Sequence, residues 1–169
     1  MPSLPPLNLP PLQFPPGSPS SSPSSSLSPE TSSGQSSQTA QMEQKVQQQI
    51  NAIRQQQGLT ELHHNNKLAE VARNYSRRMA EQDFFAHVGP EGDTLADRVG
   101  AAGIFYFRVG ENLFTSTNIP DPVPAAVEGW MNSPGHRENI LRSEYRETGI
   151  GIWHTGNTYY FTQLFMRSL

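Results

Sequence analysis

Apolar positions begin to repeat only beyond residue 41. Between Gln41 and Gln57, Met42, Val46, Ile50 and Ile53 recur at spacings of four, four and three, which predicts a helix with a narrow apolar face that stops at Gly58. Leu68, Val71, Ala72, Tyr75 and Met79 then repeat at i, i+3, i+4, i+7 and i+11, the signature of a second, more strongly amphipathic helix. Asn65 or Asn66 can cap its start. Thr94-Leu95-Ala96-Asp97 has the spacing of a capping box and opens a short helix ended by Gly100 and Gly103.

Farther on, the aromatic and β-branched run Ile104 to Val109 predicts a short strand, with Phe105, Tyr106 and Phe107 packed under a sheet rather than lining a lipid-binding groove. Beyond the prolines at 120, 122 and 124, Ala125 to Met131 predict a helix that buries Ala126, Val127 and Trp130. Another helix runs from His136 to about Arg142. Thr148 to Trp153 and Thr158 to Phe165 flank the turn His154-Thr155-Gly156-Asn157 and predict an antiparallel hairpin. Helices come first and sheet last, which argues for an α+β fold rather than repeated βαβ units.

Composition separates the chain into two parts. Residues 1–40 hold ten of the fifteen prolines, thirteen serines and one charge, Glu30. No periodicity develops there, and too little apolar area exists to offset the entropy of ordering, so 1–41 reads as a disordered Pro/Ser-rich linker or stalk. Residues 42–169 then form one domain, long enough to be stable without disulfides. The net charge is −3, which attracts no nucleic acid by bulk field. The absence of cysteine excludes a disulfide framework, a thiolate nucleophile and Cys-ligated zinc. No run approaches a membrane span, and no basic n-region followed by an apolar h-region marks an export signal.

Three polar residues stand in unusual settings: His87 after Phe84-Phe85-Ala86, Glu111 within Gly110-Glu111-Asn112-Leu113, and His136 within Ser133-Pro134-Gly135-His136-Arg137-Glu138-Asn139-Ile140-Leu141. Together with Trp130-Met131-Asn132, Gly149-Ile150-Gly151-Ile152 and Tyr159-Tyr160-Phe161-Thr162-Gln163, they form an ordered series of motifs. Residues 59–169 thereby resemble the CAP superfamily (cysteine-rich secretory proteins, antigen 5 and pathogenesis-related 1 proteins), in its cysteine-free bacterial branch. The resemblance implies a three-layer α-β-α sandwich with a central antiparallel sheet. It also implies a cleft where His87, Glu111 and His136 converge, with Asn112 and Gln163 as supporting residues and an extracellular or cell-envelope setting. Many members add a second glutamate three residues after the tryptophan; here that position is Ser133.

Two neutral imidazoles and a carboxylate are a donor set for Zn2+ or another divalent cation, with His87, Glu111 and His136 as ligands. Such a centre resembles that of a metal-assisted hydrolase in ligand count. Hydrolysis also needs a general base and a stabiliser of developing negative charge, and the sequence assigns neither. A binding module for a metal, lipid, small-molecule or cell-envelope ligand is therefore the expectation, against a hydrolase and against a polar network that only stabilises the fold. His63, His64 and His154 are expected in solvent.

Overall fold

The structure, a computed structural model, describes residues 36–169. The predicted stalk lies outside the described residues except for its last six. Those six cap and begin helix α1, Ser37–Gln56, whose N-cap Ser36 accepts from the Thr39 amide at 3.1 Å. The helix therefore starts four residues before the predicted Gln41, because a serine supplies a cap there.

After β1 (His63–His64) come α2 (Asn66–Gln82) and α3 (Leu95–Ala101). Asn65 caps α2, and the Thr94–Asp97 capping box of α3 is fully formed. β2 (Tyr106–Thr117), α4 (Pro122–Met131) and α5 (Pro134–Leu141) follow, then the hairpin of β3 (Glu147–Thr155) and β4 (Thr158–Ser168). Its turn is only Gly156-Asn157, with Gly156 at φ +57°. His154 consequently sits on β3 rather than in the turn, exposed and stacked on Tyr159 at 4.2 Å between ring centroids. His63 and His64 are exposed as expected.

The sheet order is β1-β3-β4-β2, antiparallel apart from the two-residue β1, which runs parallel to β3. Side chains alternate across it. Ile150, Ile152, Phe161 and Phe165 pack with α1, α4 and α5 around the buried Trp130. On the opposite face Leu164 and Met166 meet Leu68, Val71 and Ala72 of α2 and Val99 of α3. The result is the α-β-α sandwich.

Gly149 and Gly151 explain how α2 lies so close to the sheet. A Cβ at Gly149 would fall 2.2 Å from the Ala69 amide nitrogen, and one at Gly151 2.0 Å from that of Arg73. The Gly-Ile-Gly-Ile alternation thus gives α2 a bare surface on one side and isoleucines to the core on the other.

Two expectations for β2 fail. The strand is twelve residues long instead of six and carries Glu111 and Asn112 in its interior; polar residues hid it because its partners are side chains on helices. Phe105 and Phe107 do not pack under the sheet but are 77% and 74% exposed. The pairing steps from Tyr106↔Ser168 to Arg108↔Arg167, which leaves Phe107 as the extra residue of a β-bulge and turns it outward.

Candidate functional site

β2 is an edge strand, and its neighbouring residues Glu111 and Asn112 address opposite layers. Glu111 is almost fully enclosed, its side chain 3% exposed. Its Oε2 accepts from Nη1 of Arg98 at 2.8 Å, and Oε1 lies 3.4 Å from Nη2 of Arg98 and 2.8 Å from Nδ1 of His87. Burial of a carboxylate demands donors, and here a guanidinium and an imidazole supply them. An ionised carboxylate accepts only, so His87 carries a proton on Nδ1 and its Nε2 is the ring nitrogen left for a ligand. The bond to Glu111 raises the pKa of His87 above its ordinary value, against burial, which acts the other way.

Arg98 is the residue that sequence reading missed. It lies in the last turn of α3, and besides Glu111 it bonds the carbonyl oxygen of His87 at 2.8 Å. Its guanidinium carbon sits 3.4 Å from the ring centroid of Tyr75, whose hydroxyl donates to the Ala86 carbonyl at 2.5 Å. Arg98 and Tyr75 together fix the loop that carries His87. The sequence carries only half of the signal: in a strand Glu111 shares a face with Val109 and Leu113, where a carboxylate needs a cation, but nothing local says which one.

His136 is in the first turn of α5. Its Nδ1 lies 2.9 Å from Oγ of Ser133, the N-cap residue that occupies the place of the second glutamate of many CAP members. Burial lowers the pKa of His136, and the charge of His87 adds to that effect, so the two imidazoles sense one another. Asn112 anchors α5 against the strand: it donates to the His136 carbonyl at 3.1 Å, and Asn139 donates to its Oδ1 at 3.0 Å and to the Glu111 carbonyl at 3.2 Å. A Cβ at Gly110 would lie 2.4 Å from the Tyr145 hydroxyl and 2.9 Å from Oδ1 of Asn139. The Gly-Glu-Asn run therefore combines room for α5, a buried anion on one face and an anchor on the other.

Gln163, the register partner of Asn112, is fully buried; it donates to Oγ1 of Thr148 at 3.1 Å, and its Oε1 has no hydrogen-bond partner among the described residues. It contacts neither imidazole through these bonds. Surface hollows among the described residues lie elsewhere. One, of about 500 Å³, runs along α1 beside Glu61 and His64; another, of about 570 Å³, is lined by Phe107, Arg108, Ser143, Glu144, Arg146 and Arg167. Among the described residues no three His, Asp or Glu side chains are grouped so as to hold one metal ion, and no helix is long and apolar enough to cross a membrane.

The chain matches the family model described as CAP, cysteine-rich secretory protein family, over residues 47–165. It is 37% identical over 125 residues to the uncharacterized membrane protein YlbC of Bacillus subtilis (strain 168), covering 74% of this chain and 34% of that one. Among solved structures, an extracellular protein containing a SCP domain from Bacillus anthracis is 31% identical with a TM-score of 0.63, covering 81% of this chain and 45% of that chain. An outer surface protein from Borrelia burgdorferi shares the fold with a TM-score of 0.70 at 23% identity, covering 78% and 96% respectively. The chain spans about a third of the length of the Bacillus subtilis relative.

Proposed function

Since this chain belongs to the CAP family, in a bacterial-type branch without cysteine, we propose that it is a binding module of the cell envelope or extracellular space. Its ligand-contacting groups are the Nε2 atoms of His87 and His136. One observation carries the reading: each imidazole has its Nδ1 engaged inside the domain, by Glu111 in one case and Ser133 in the other. A histidine whose Nδ1 donates to a carboxylate is oriented and made more basic at Nε2, the arrangement found behind metal-ligating histidines. Glu111 then orients rather than ligates, because Arg98 and His87 already hold its oxygens.

The donor set fits an exchangeable divalent cation such as zinc, held by two imidazoles with water or a bound molecule completing the shell. When bound, such an ion would supply an electrophilic contact for an oxygen-bearing ligand. Binding without turnover is the reading because the carboxylate that a hydrolytic site would use as base is paired with a guanidinium.

Calorimetric titration of zinc into tag-free, chelator-treated protein tests this. One site per chain is expected, lost in His87→Ala and in His136→Ala. Glu111→Gln should keep the stoichiometry and lower the affinity by about 10–100-fold, as for other outer-shell partners. The absence of a binding isotherm, or an isotherm unchanged in both histidine variants, would refute the proposal.

A further inference from the structure

Three arginines gather at the end of the sheet where the Phe107 bulge lies. Arg108 on β2 is the register partner of Arg167 on β4. Arg146 stands just before β3; its amide donates to the Met166 carbonyl at 3.0 Å although Glu147 is already the register partner of Met166, so the chain bulges there and Arg146 joins Arg108 and Arg167 in lining one hollow. Like charges directly opposite one another across strands repel. Few acids offset this cluster, in which Arg146 donates to the carbonyls of Ser143 and Tyr145. Glu144 lies 3.4 Å from both Arg108 and Arg142, and among the described residues Arg167 has no carboxylate partner. The hollow that the three arginines line contains one acid, Glu144, and is therefore locally positive on a chain whose net charge is −3.

Exposed apolar groups share this end. Phe105, just before β2, and Phe107, on it, border the arginines, and Leu169 follows Ser168, the partner of Tyr106; the three are 77%, 74% and 73% exposed. Phe107 reaches solvent only because the bulge expels it, and bulges at sheet edges commonly re-aim a side chain in this way. Two aromatic rings beside a cluster of arginines with so little counter-charge match an interface with apolar matter below and anionic groups above it.

We propose that this sheet end docks on an anionic phospholipid bilayer, with Phe105 and Phe107 entering the headgroup and acyl boundary and Arg108, Arg146 and Arg167 meeting lipid phosphates. Membrane attachment of this kind adds buried apolar area to electrostatic attraction, and the two depend on one another. The surface is separate from the His87 and His136 site, so its test does not depend on that reading.

The experiment is co-sedimentation of the full chain with vesicles of phosphatidylglycerol and phosphatidylcholine in equal parts, and with phosphatidylcholine alone, at low and at physiological salt. Binding is expected to the anionic vesicles only and to weaken as salt rises. Phe105→Ser with Phe107→Ser, and separately Arg146→Glu with Arg167→Glu, should each lower the partition coefficient by about tenfold or more. Far-ultraviolet circular dichroism and thermal midpoints check that these exposed substitutions leave the fold intact. As a second readout that preserves the surface, Phe107→Trp should show a blue-shifted emission with anionic vesicles and none with phosphatidylcholine. The proposal is overturned by equal or absent binding to the two vesicle types. It is also overturned by loss of binding in the arginine variant alone, which would mark a site for soluble polyanions. Self-association that depends on Phe105 and Phe107 without vesicle binding would overturn it too, marking a contact between copies.

Discussion

Replacing Arg98 by methionine would strip the buried Glu111 carboxylate of its guanidinium and leave the His87 imidazole as its side-chain donor. Removing one member of a buried pair costs about 3–5 kcal/mol, and a loss of that size is expected for Arg98→Met by urea denaturation. The double variant Arg98→Met, Glu111→Gln should lose less than the two single losses added together, since it leaves no buried charge unpaired. A strictly additive double variant would show that the pair is not coupled. The two histidines should also mark the pH dependence of stability with opposite signs. His87 has a raised folded pKa, so its contribution is complete below the unfolded value near 6.5 and is lost as pH rises through the folded pKa. His136 has a lowered one, so its contribution is complete above about 6.5 and is lost as pH falls toward the folded pKa. Denaturation across pH 5 to 9, in wild type and in His87→Asn and His136→Asn, reads each slope separately. At this scale the sequence shows His87, Glu111 and His136 through their motifs, but not Arg98, because nothing local ties an arginine at the end of one helix to a carboxylate thirteen residues away.

The elements depend on two devices of different visibility. Helical spacing and caps are local, so α2, α3 and the hairpin can be read directly from the pattern of residues. β2 was half hidden, since strand alternation breaks at the Phe107 bulge and its interior carries Glu111 and Asn112, which only make sense once α3 and α5 are placed beside it. Gly151 is an element-scale requirement: a Cβ there would be 2.0 Å from backbone of α2. Gly151→Ala should therefore push α2 off the sheet and cost about 1–3 kcal/mol, the usual range for overpacking; a thermal midpoint equal to wild type would contradict the close approach. Arg54 joins α1 to the segment between α5 and β3. Its side chain is fully buried and donates to the carbonyls of Thr60, Ile140, Arg142 and Tyr145 at 2.7–3.3 Å. Burial accordingly lowers its pKa. Arg54→Met would leave these acceptors unsatisfied at about 1–3 kcal/mol for each one that water cannot reach, and hydrogen exchange should report faster opening at Arg142 to Tyr145 before any part of the sheet.

For the whole molecule, the order of helices before sheet and the absence of cysteine agree with the α-β-α sandwich of a bacterial-type CAP domain, with apolar clusters packed on both faces of the sheet. That architecture brings β2 to the sheet edge, where the loop before α3 and the first turn of α5 each contribute an imidazole from opposite layers. Neither the edge position nor the exposure of Phe105 and Phe107 follows from local pattern, because both arise from strand order and from a one-residue slip in register. Metal binding at this edge must release or exclude protons from Nε2, so zinc affinity should fall with acid, starting above the ordinary histidine range because Glu111 raises the pKa of His87. The most direct measurement of the central claim is a long-range ¹⁵N–¹H spectrum of the imidazoles, recorded at alkaline pH before and after zinc. It should show His87 as the Nδ1–H tautomer, with zinc shifting the Nε2 resonances of His87 and His136 and sparing those of His63, His64 and His154. A His87 proton on Nε2, or zinc shifts confined to the exposed histidines, would contradict it.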